Sequence, residues 1–289
     1  MPDWQERITS DTPPAIRVEH ELRYAAAMAL VRERATWCDL GCGNGIAAAT
    51  ALGGAFDGRV VLVDLDEEAV ERARTAVDAR EVAAFPADLT SSDDLARVRT
   101  ELLAGAPDGG RCVTCFEVVE HLPTFEPLVE LLVELAAEHD TSVLASVPND
   151  AFWAIENPHH ATKWGEGAME ELRSLLPADH VLVQQVPLQG SALVREGGAT
   201  EEVTSVSLRE GVPSHFLLAF GPGAEAFAAA PRVVQLELEE QRRWERQRES
   251  DLAFAVARIR ALEAEVAYLR SHSGSRRGRA AREAHDDAS

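Results

Sequence analysis

Two carboxylates and an imidazole lie close together in the stretch FEVVEHLP, residues 116–123. Glu117, Glu120 and His121 stand at positions i, i+3 and i+4, and in the first turn of a helix this spacing places all three side chains on one face. Side chains of these types held that close bind a metal ion, transfer a proton or remain solvated. The stretch therefore predicts a metal site, an acid–base site or a polar surface.

Three further polar stretches each follow an apolar run: DLGCGNG (39–45), VDLD (63–66) and ADLT (87–90). Glycines spaced G-x-G-x-G permit a tight turn and let a ligand approach the main chain closely. Asp64, at the end of the second strand, is placed to accept hydrogen bonds from ribose hydroxyls, whereas Asp66 is placed to cap the next helix. These stretches predict a nucleotide-type site at the strand ends.

The elements that must position these residues alternate along the chain. Apolar runs predict seven strands, at ATWCDLG, RVVLVDL, VAAFPADL, RCVTCFEV, TSVLASVP, HVLVQQVP and HFLLAFGP. Helices are expected near 17–34, 45–54, 67–79, 91–104 and 120–138. This alternation indicates an α/β fold with a doubly wound, mostly parallel sheet that is covered on both faces. A long polar segment separates the last two strands.

In this order, DLGCGNG, VDLD, PADLT and FEVVEHLP resemble the class I S-adenosylmethionine-dependent methyltransferases. The resemblance covers about residues 15–222 and implies a Rossmann-like, seven-stranded sheet whose last strand is antiparallel. It also implies that S-adenosylmethionine is the cofactor. The cofactor-binding residues it implies are Asp39, Gly41 and Gly43 at the methionine moiety, Asp64 with Leu65 at the ribose, Asp88 with Leu89 at the adenine, and Glu117 facing the sulfonium.

Methyltransferases of this kind often carry an NPHH-like element followed by a Trp and a helix, and this chain has PHHATKW within residues 157–164. The resemblance implies that this element reaches over the mouth of the pocket, near FEVVEHLP. His159 and His160 would then lie close to that stretch. Trp153 and Trp164 are candidates to stack on a sugar ring or to pack within a lid or the core.

Three interpretations of the polar cluster remain open. In the first, E-x-x-E-H with a distant His resembles the divalent-metal site of small-RNA 3′-terminal 2′-O-methyltransferases, so that Mg²⁺ or Mn²⁺ would be held by Glu117, Glu120, His121 and His160. In the second, His121 or His160 takes the proton from an acceptor hydroxyl while Glu120 orients the ring. In the third, these side chains only cap a turn or touch the cofactor.

The charge distribution argues against a nucleic-acid substrate. The net charge is −21, and all of it falls on residues 1–232 because acidic and basic residues balance in residues 233–289. Such a surface repels phosphate backbones, and Lys163 is the only lysine. The segment around PHHATKW instead resembles methyltransferases of surface-polysaccharide and other glycan assembly, in which a terminal sugar hydroxyl is methylated.

The sequence therefore predicts an S-adenosylmethionine-dependent O-methyltransferase that acts on a sugar, a glycan or a related small molecule, with His121, His160 and Glu120 as catalytic residues. One alternative is an RNA 2′-O-methyltransferase with a Glu/His metal site. Another is a non-catalytic, methyltransferase-like binding subunit, although the intact glycine stretch and Asp64 argue against it. A third is an N- or C-methyltransferase, for which His121 would be dispensable.

The C-terminal part of the chain has a different composition. Residues 233–271 contain no glycine or proline, and a 3-4 spacing of apolar residues predicts a helix and favours a coiled-coil homodimer over packing on its own domain or on another protein. The seam consists of Leu252, Ala255, Ile259, Leu262, Val266 and Leu269. We expect a methyltransferase domain over 1–232, this helix over 233–271 and a disordered tail over 272–289.

The cysteines and the N-terminus predict a cytoplasmic protein. Cys38, Cys42, Cys112 and Cys115 lie in or beside strand-like runs, which predicts reduced, buried thiols. In RCVTCF the two thiols of the C-x-x-C pair would face opposite sides of a strand. The chain has no apolar run of 18 residues, and its N-terminal segment is polar, so neither a membrane span nor an export leader is expected.

Overall fold

The structure is a computed structural model that describes residues 8, 12, 14–104, 109–154, 157–165, 167–177, 180–185, 212–228, 246–248, 250–266 and 268–269. The chain divides into two compact units. One comprises Met1–Thr12 and Ile16–Val234, and the other comprises Pro13–Ala15 and Gln235–Ser289. Most of the polar segment expected before the seventh strand, and the tail expected over 272–289, lie outside the described residues.

Seven strands form one sheet, as predicted. They are β1 Thr36–Leu40, β2 Phe56–Asp64, β3 Ala79–Pro86, β4 Arg111–Phe116, β5 Thr141–Pro148, β6 Val181–Gln185 and β7 His215–Phe220. Their order across the sheet is β3-β2-β1-β4-β5-β7-β6. The first five pair in parallel, and β7 runs antiparallel to both β5 and β6. The prediction of an antiparallel seventh strand is confirmed.

Helices connect the strands. The described helices are α1 Pro14–Val31, α2 Ile46–Leu52, α3 Glu67–Ala76, α4 Ser92–Leu103, α5 Glu126–Glu138, α6 Asp150–Trp153, α7 Ala168–Leu175 and α8 Glu225–Ala228. Asp66 caps α3 as predicted, because its side chain accepts hydrogen bonds from the backbone N–H groups of Glu68 and Ala69. This cap fixes where α3 begins after β2.

The helix expected near 120–138 begins later, at Glu126. Before it, Val119–His121 forms a single 3₁₀ turn, and Leu122 is extended. The physical reason is Pro123, since the ring of a proline disfavours the helical conformation of the residue before it. The side chains that follow β4 are therefore presented by a short turn and not by a helix.

The core lies on both faces of the sheet. Strands β1, β4, β5 and β7 are buried at every residue, as expected for strands covered on both sides. Cys112 and Cys115 belong to the two apolar clusters on opposite faces. All four cysteines are free and buried, which confirms the prediction, and burial raises the pKa of each thiol.

The C-terminal unit contains a helix, which the structure describes at residues 246–248, 250–266 and 268–269. Most apolar side chains of the predicted seam are exposed in the single chain: Leu252, Ile259, Leu262, Val266 and Leu269. The coiled coil itself stays a prediction. Among the described residues, no helix combines the length and the apolar character that a membrane span requires.

Candidate active site

The candidate site lies where the strand order reverses. β1 and β4 are neighbours at the centre of the sheet, and the chain proceeds from them toward opposite edges. In an open parallel sheet, a crevice forms at such a point outside the carboxyl ends of the strands. The stretch DLGCGNG follows β1, and Glu117 follows β4. The two predicted sets of functional residues therefore meet at this crevice.

The glycine stretch forms a tight loop that is open on one side. Gly41 and Gly43 have φ angles of 72° and 53°, which favour glycine. The N–H of Gly41 donates to the carbonyl oxygen of Val63 at 2.8 Å and ties the loop to β2. A Cβ on Gly41 would lie 2.3 Å from Cγ2 of Val118, whereas a Cβ on Gly43 would meet no atom within 4 Å. The loop thus leaves space for a ligand above Gly43.

Asp64 joins the loop to the end of β2. Its Oδ2 accepts a hydrogen bond from the N–H of Gly43 at 2.9 Å, and its Oδ1 accepts one from the N–H of Asp66 at 3.0 Å. A carboxylate oxygen can accept more than one hydrogen bond, so these two contacts are compatible with hydrogen bonds from ribose hydroxyls. The position fits the ribose role that was predicted for Asp64.

Asp39 is fully buried at the end of β1. The hydroxyl of Tyr24 donates to its two oxygens at 3.1 and 2.9 Å, and the hydroxyl of Thr114 donates to Oδ1 at 2.5 Å. Burial raises the pKa of Asp39 to about 7, against the opposing effect of these two hydroxyls. Asp39 supports the loop from within the protein, and its contact with the cofactor stays a prediction.

The other residues predicted for the ribose and the adenine follow β2 and β3. Leu65 is 72% exposed, and Leu89 is buried. Asp88 is exposed, and its Oδ1 accepts hydrogen bonds from the side chain and the N–H of Thr90, which lower the pKa of Asp88. The exposed side chain of Leu65 fits the apolar base of S-adenosylmethionine, and the carboxylates of Asp64 and Asp88 fit its hydroxyl and amino groups. The open space above Gly43 leaves room for the ligand.

The carboxylate of Glu117 is contacted by side chains of β5 and β7. The hydroxyl of Ser146 donates to its Oε1 at 2.6 Å, and Nε2 of His215 lies 3.1 Å from its Oε2. Burial alone would raise the pKa of Glu117, but the charges of Arg23 and His215 outweigh that effect and hold it well below its usual range. Glu117 is therefore an ionised group paired with β5 and β7.

The prediction that Glu117 shares a helix face with Glu120 and His121 is wrong. Glu117 has a φ of 56°, a left-handed conformation that a helix cannot continue, and only the 3₁₀ turn Val119–His121 follows. Of the four predicted metal ligands, Glu120, His121 and His160 have ligand atoms within 4.8 Å of one another. Glu117 does not belong to this group.

Glu120 connects this group to the chain after β5. Its backbone carbonyl accepts hydrogen bonds from the N–H groups of Ala161 at 2.8 Å and Thr162 at 3.1 Å. Its side chain is 1% exposed, and Oε2 has no hydrogen-bond partner among the described residues. Burial, and then the charge of Glu117, raise the pKa of Glu120. A buried oxygen of this kind calls for a proton or a cation.

Both imidazoles are oriented through their Nδ1 atoms. Nδ1 of His160 lies 2.9 Å from Oδ1 of Asp150, and Nδ1 of His121 lies 3.2 Å from the carbonyl oxygen of His159. An acceptor at Nδ1 assigns the neutral tautomer that has its lone pair on Nε2. Asp150 is fixed in turn, because its Oδ2 accepts from the N–H of Trp164 at 2.7 Å.

Glu120, His121 and His160 can act in two chemical ways. The Nε2 atoms of the two histidines and the buried carboxylate form a set that takes up a proton, or one that binds a divalent cation while Asp150 and the carbonyl oxygen of His159 hold the rings through Nδ1. Two imidazoles with one carboxylate suit Mn²⁺ better than Mg²⁺, which prefers oxygen ligands alone. The orphaned Oε2 of Glu120 is the observation that fits a cation here.

The two candidate sugar-stacking residues are placed differently. Trp164 is 1% exposed and packs beside Phe125, with ring centroids 5.8 Å apart, which agrees with the core-packing role that the sequence left open for it. Trp153 is half-buried, and its ring makes an edge contact with His215 at 5.8 Å. Because His215 pairs with Glu117, Trp153 lies at the carboxyl end of β4 and stays a candidate.

Sequence reasoning missed several residues of the site. Asp150 follows Asn149 at the start of a helix, and no nearby sequence pattern indicates that its side chain contacts His160. Arg23 and His215 open or interrupt otherwise apolar runs, HELRYAAAMAL and HFLLAF, and both are buried. That interruption is the only signal that could have indicated them, because a charged side chain on a buried element needs a specific partner.

The sequence is similar to a known family. Residues 17–196 match the family model described as a methyltransferase domain. No curated protein matches the chain. The family model covers the crevice, the glycine loop and the Glu120 cluster.

Solved structures also resemble the chain. Small RNA methyltransferase HEN1 is 18% identical with a TM-score of 0.48, and the match covers 80% of this chain but 28% of HEN1. A SAM-dependent methyltransferase from Archaeoglobus fulgidus is 15% identical, with a TM-score of 0.43 and coverage of 71% of this chain and 93% of its own. Magnesium protoporphyrin IX methyltransferase from Synechocystis PCC 6803, with bound SAH, is 16% identical, with a TM-score of 0.41. The match covers 76% of this chain and 91% of that protein.

Proposed function

The chain belongs to the methyltransferase-domain family of S-adenosylmethionine-dependent enzymes, and from this membership we propose that it methylates a hydroxyl of a sugar, a glycan or a related small molecule. One observation supports the proposal most strongly: Glu120 and His121, four and five residues after the end of β4, converge with His160, twelve residues after the end of β5. A hydroxyl must lose its proton as it accepts a methyl group, and this cluster is suited to receive that proton.

The chain holds the cofactor and aligns the acceptor. S-adenosylmethionine supplies a methyl group on a positively charged sulfur, which makes the methyl carbon electrophilic. The open side of the loop at Gly43, the carboxylate of Asp64 and the exposed Leu65 provide the cofactor's surface. The remaining task is to place an oxygen behind the methyl carbon and to exclude water.

We assign proton uptake to Nε2 of His160. The carboxylate of Asp150 at Nδ1 orients the ring and stabilises the imidazolium that forms. The ring of His121 lies 5.1 Å from that of His160, and the buried carboxyl of Glu120 closes the cluster. A divalent cation is the alternative: Glu120, His121 and His160 would hold Mn²⁺ or Mg²⁺, which would lower the pKa of the acceptor hydroxyl, and Nε2 of His160 would then be a ligand instead of the proton acceptor.

The acceptor that fits best is uncharged or cationic. Residues 1–232 carry the whole net charge of −21, and a polyanion such as RNA would meet repulsion at every approach. HEN1 acts on small RNA, but the charge of this chain argues against carrying that substrate over. Trp153, half-buried beside His215, offers an aromatic edge or face to a sugar ring.

Methyl transfer from S-adenosylmethionine labelled in its methyl group tests the proposal. The purified protein would be given matched pools of neutral oligosaccharides, small phenols and alcohols, primary amines and short RNA. We expect label in the hydroxyl pools, as an ether that survives mild alkali. Label in amines alone would overturn the O-methyltransferase proposal, and label in RNA would restore the RNA alternative. Cofactor binding without transfer to any pool would favour a non-catalytic subunit.

A further inference from the structure

The C-terminal helix carries an apolar stripe that is exposed in the single chain. Residues 250–266 are helical, and every one of them is exposed. The large apolar side chains of the 3-4 seam are between 42% and 65% exposed: Leu252, Ile259, Leu262, Val266 and Leu269. Covering such a stripe with a second apolar surface removes it from water, which is favourable, and contiguous exposed apolar patches mark interaction sites. The stripe is therefore an interaction surface.

The residue types along the stripe indicate how many helices it joins and in which direction. In the heptad lettered a to g, the a positions hold Leu252, Ile259 and Val266, and the d positions hold Ala255, Leu262 and Leu269. Two of the three a positions are thus β-branched, and two of the three d positions are leucine. In parallel coiled coils, β-branched residues at a with leucine at d favour two strands over three or four. The stripe fits one partner helix that runs parallel to it.

The charged residues beside the stripe complement a second copy of the same helix. Arg258 is at a g position, and Glu263 is at the e position five residues later. In a parallel pair, each g residue lies beside the following e residue of the partner helix. Arg258 of each copy would therefore face Glu263 of the other, and the twofold symmetry makes this contact twice. In the sequence, Glu265 and Arg270 repeat the pattern one heptad later with the two charges exchanged.

The guanidinium of Arg258 has no acidic neighbour on its own helix. Side chains three and four positions apart on a helix are neighbours, and those at positions 254, 255, 261 and 262 are all apolar. Among the described residues, neither Arg258 nor Glu263 takes part in an ion pair. Both charges are therefore available to a partner helix that covers the stripe.

We propose that the stripe binds the stripe of a second copy of this chain in a parallel, in-register, two-stranded coiled coil, in which Arg258 of each copy faces Glu263 of the other. The partner is a second copy because one sequence supplies both halves of the apolar seam and both signs of the flanking charges. The residue types at a and d set the direction of the two helices, and the flanking charges set their register. This interface is independent of the proposed methyl transfer.

Disulfide crosslinking of the full chain tests the direction of the helices. In a parallel pair, the two copies of the d residue Ala255 face each other, within reach of a disulfide. In an antiparallel pair, Ala255 packs against Val266 and lies about 16 Å along the axis from its own equivalent. In a glutathione redox buffer, Ala255→Cys should form a covalent dimer. Ala257→Cys, two residues along and on the outer face, is the matched control and should stay uncrosslinked. The four native cysteines are buried and do not compete.

Sedimentation of the unaltered protein at twice the mass of the chain should accompany this result. A dimer in which Ala255→Cys forms no crosslink would overturn the parallel arrangement. Equal crosslinking of Ala255→Cys and Ala257→Cys would contradict the seam as the interface, and a monomeric unaltered protein would overturn the inference altogether.

A charge exchange tests the register through the dissociation constant of the dimer. Arg258→Glu places like charges at two symmetric contacts, and so does Glu263→Arg, so each should raise this constant by about five- to tenfold. The double variant Arg258→Glu/Glu263→Arg should restore it to within about twofold. Arg258→Glu/Glu265→Arg is the matched control, because Arg258 faces Glu265 only in the antiparallel pair. Rescue by Glu265→Arg, or no rescue by Glu263→Arg, would overturn the inference.

Discussion

The ring of His160 owes its tautomer to a single carboxylate, Asp150, whose second oxygen is held by the backbone of Trp164. At the equivalent atom, His121 lies 3.2 Å from the carbonyl oxygen of His159. A carboxylate at Nδ1 stabilises the imidazolium that forms when a proton is transferred to the ring, which is why we assign the proton to His160. This difference between two neighbouring histidines could not be predicted from the sequence, because Asp150 stands ten residues away.

We expect Asp150→Asn to lower kcat by about 10- to 100-fold while the affinity for S-adenosylhomocysteine stays unchanged. The side-chain amide of Asn can donate a hydrogen bond to Nδ1 of His160, where the carboxylate of Asp150 accepted one. The ring proton then moves to Nε2, which can no longer take a proton from the acceptor hydroxyl. Turnover with the acceptor that the labelling experiment selects, together with calorimetry, checks this result. Asp57→Asn, at a side chain that is 97% exposed on β2, is the matched control and should leave both quantities unaltered. Normal turnover of Asp150→Asn would remove His160 from the mechanism.

Asp39 makes the stability of the protein depend on pH in an unusual direction. Burial raises its pKa from 3.8 to about 7, so between these values the folded state holds a proton that the unfolded state has lost. The stabilisation is full below about pH 4 and is lost as pH rises toward 7. Relative to Asp39→Asn, the unfolding free energy of the unaltered protein should fall by roughly 4 kcal/mol over this window.

Urea denaturation at several pH values measures this difference. Asp57→Asn should show the same pH dependence as the unaltered protein, because its carboxylate is exposed on β2. A constant gap in stability between the unaltered protein and Asp39→Asn from pH 4 to pH 7 would contradict the assignment.

At the scale of elements, the loop after β1 was predictable and the turn after β4 was not. Glycine spacing identifies a tight turn with open backbone, and the structure has it. The i, i+3, i+4 spacing of Glu117, Glu120 and His121 also fits a helix, but no α-helix forms there. Pro123 was the local signal against that helix, since it forces Leu122 to be extended. A spacing rule holds only where the backbone that it assumes can form.

The loop provides a matched pair of substitutions. Gly43 and Gly53 have φ angles of 53° and 59°, so an alanine at either position costs about 1 kcal/mol of stability through the same backbone strain. Only the Cβ at Gly43 would enter the open space above the loop. We expect Gly43→Ala to weaken S-adenosylhomocysteine binding by at least about tenfold, measured by calorimetry. Gly53→Ala, at the end of α2, should bind normally, and equal affinities in the two variants would place the cofactor elsewhere.

At the scale of the whole molecule, the fold could be predicted well and the convergence of the site only in part. Buried parallel strands appear in the sequence as uninterrupted apolar runs, and the polar residue after each run marks the functional edge of the sheet. Contacts between distant segments, such as Gln185 with Arg23 or His215 with Glu117, follow from the packing of α1 and β7. No local pattern encodes them.

The C-terminal helix is predicted to join two copies of the chain in a coiled coil. Ile259 is on the 3-4 seam and is 55% exposed in the single chain, whereas Phe254 lies off the seam and is 76% exposed. If two copies associate through the seam, Ile259→Asp buries a charge and should convert a dimer into a monomer in sedimentation analysis. Phe254→Asp should remain a dimer. A monomer before any substitution, or equal effects of the two changes, would contradict the dimer.

Under the proposed function, the Glu120, His121 and His160 cluster serves the acceptor and not the cofactor. Single-turnover methyl transfer by His160→Asn, measured together with the affinity of this variant for S-adenosylhomocysteine, distinguishes the two roles. We expect an affinity equal to that of the unaltered protein and a transfer rate lower by about 100-fold or more. A rate that is unchanged, or an affinity that falls as far as the rate, would contradict it.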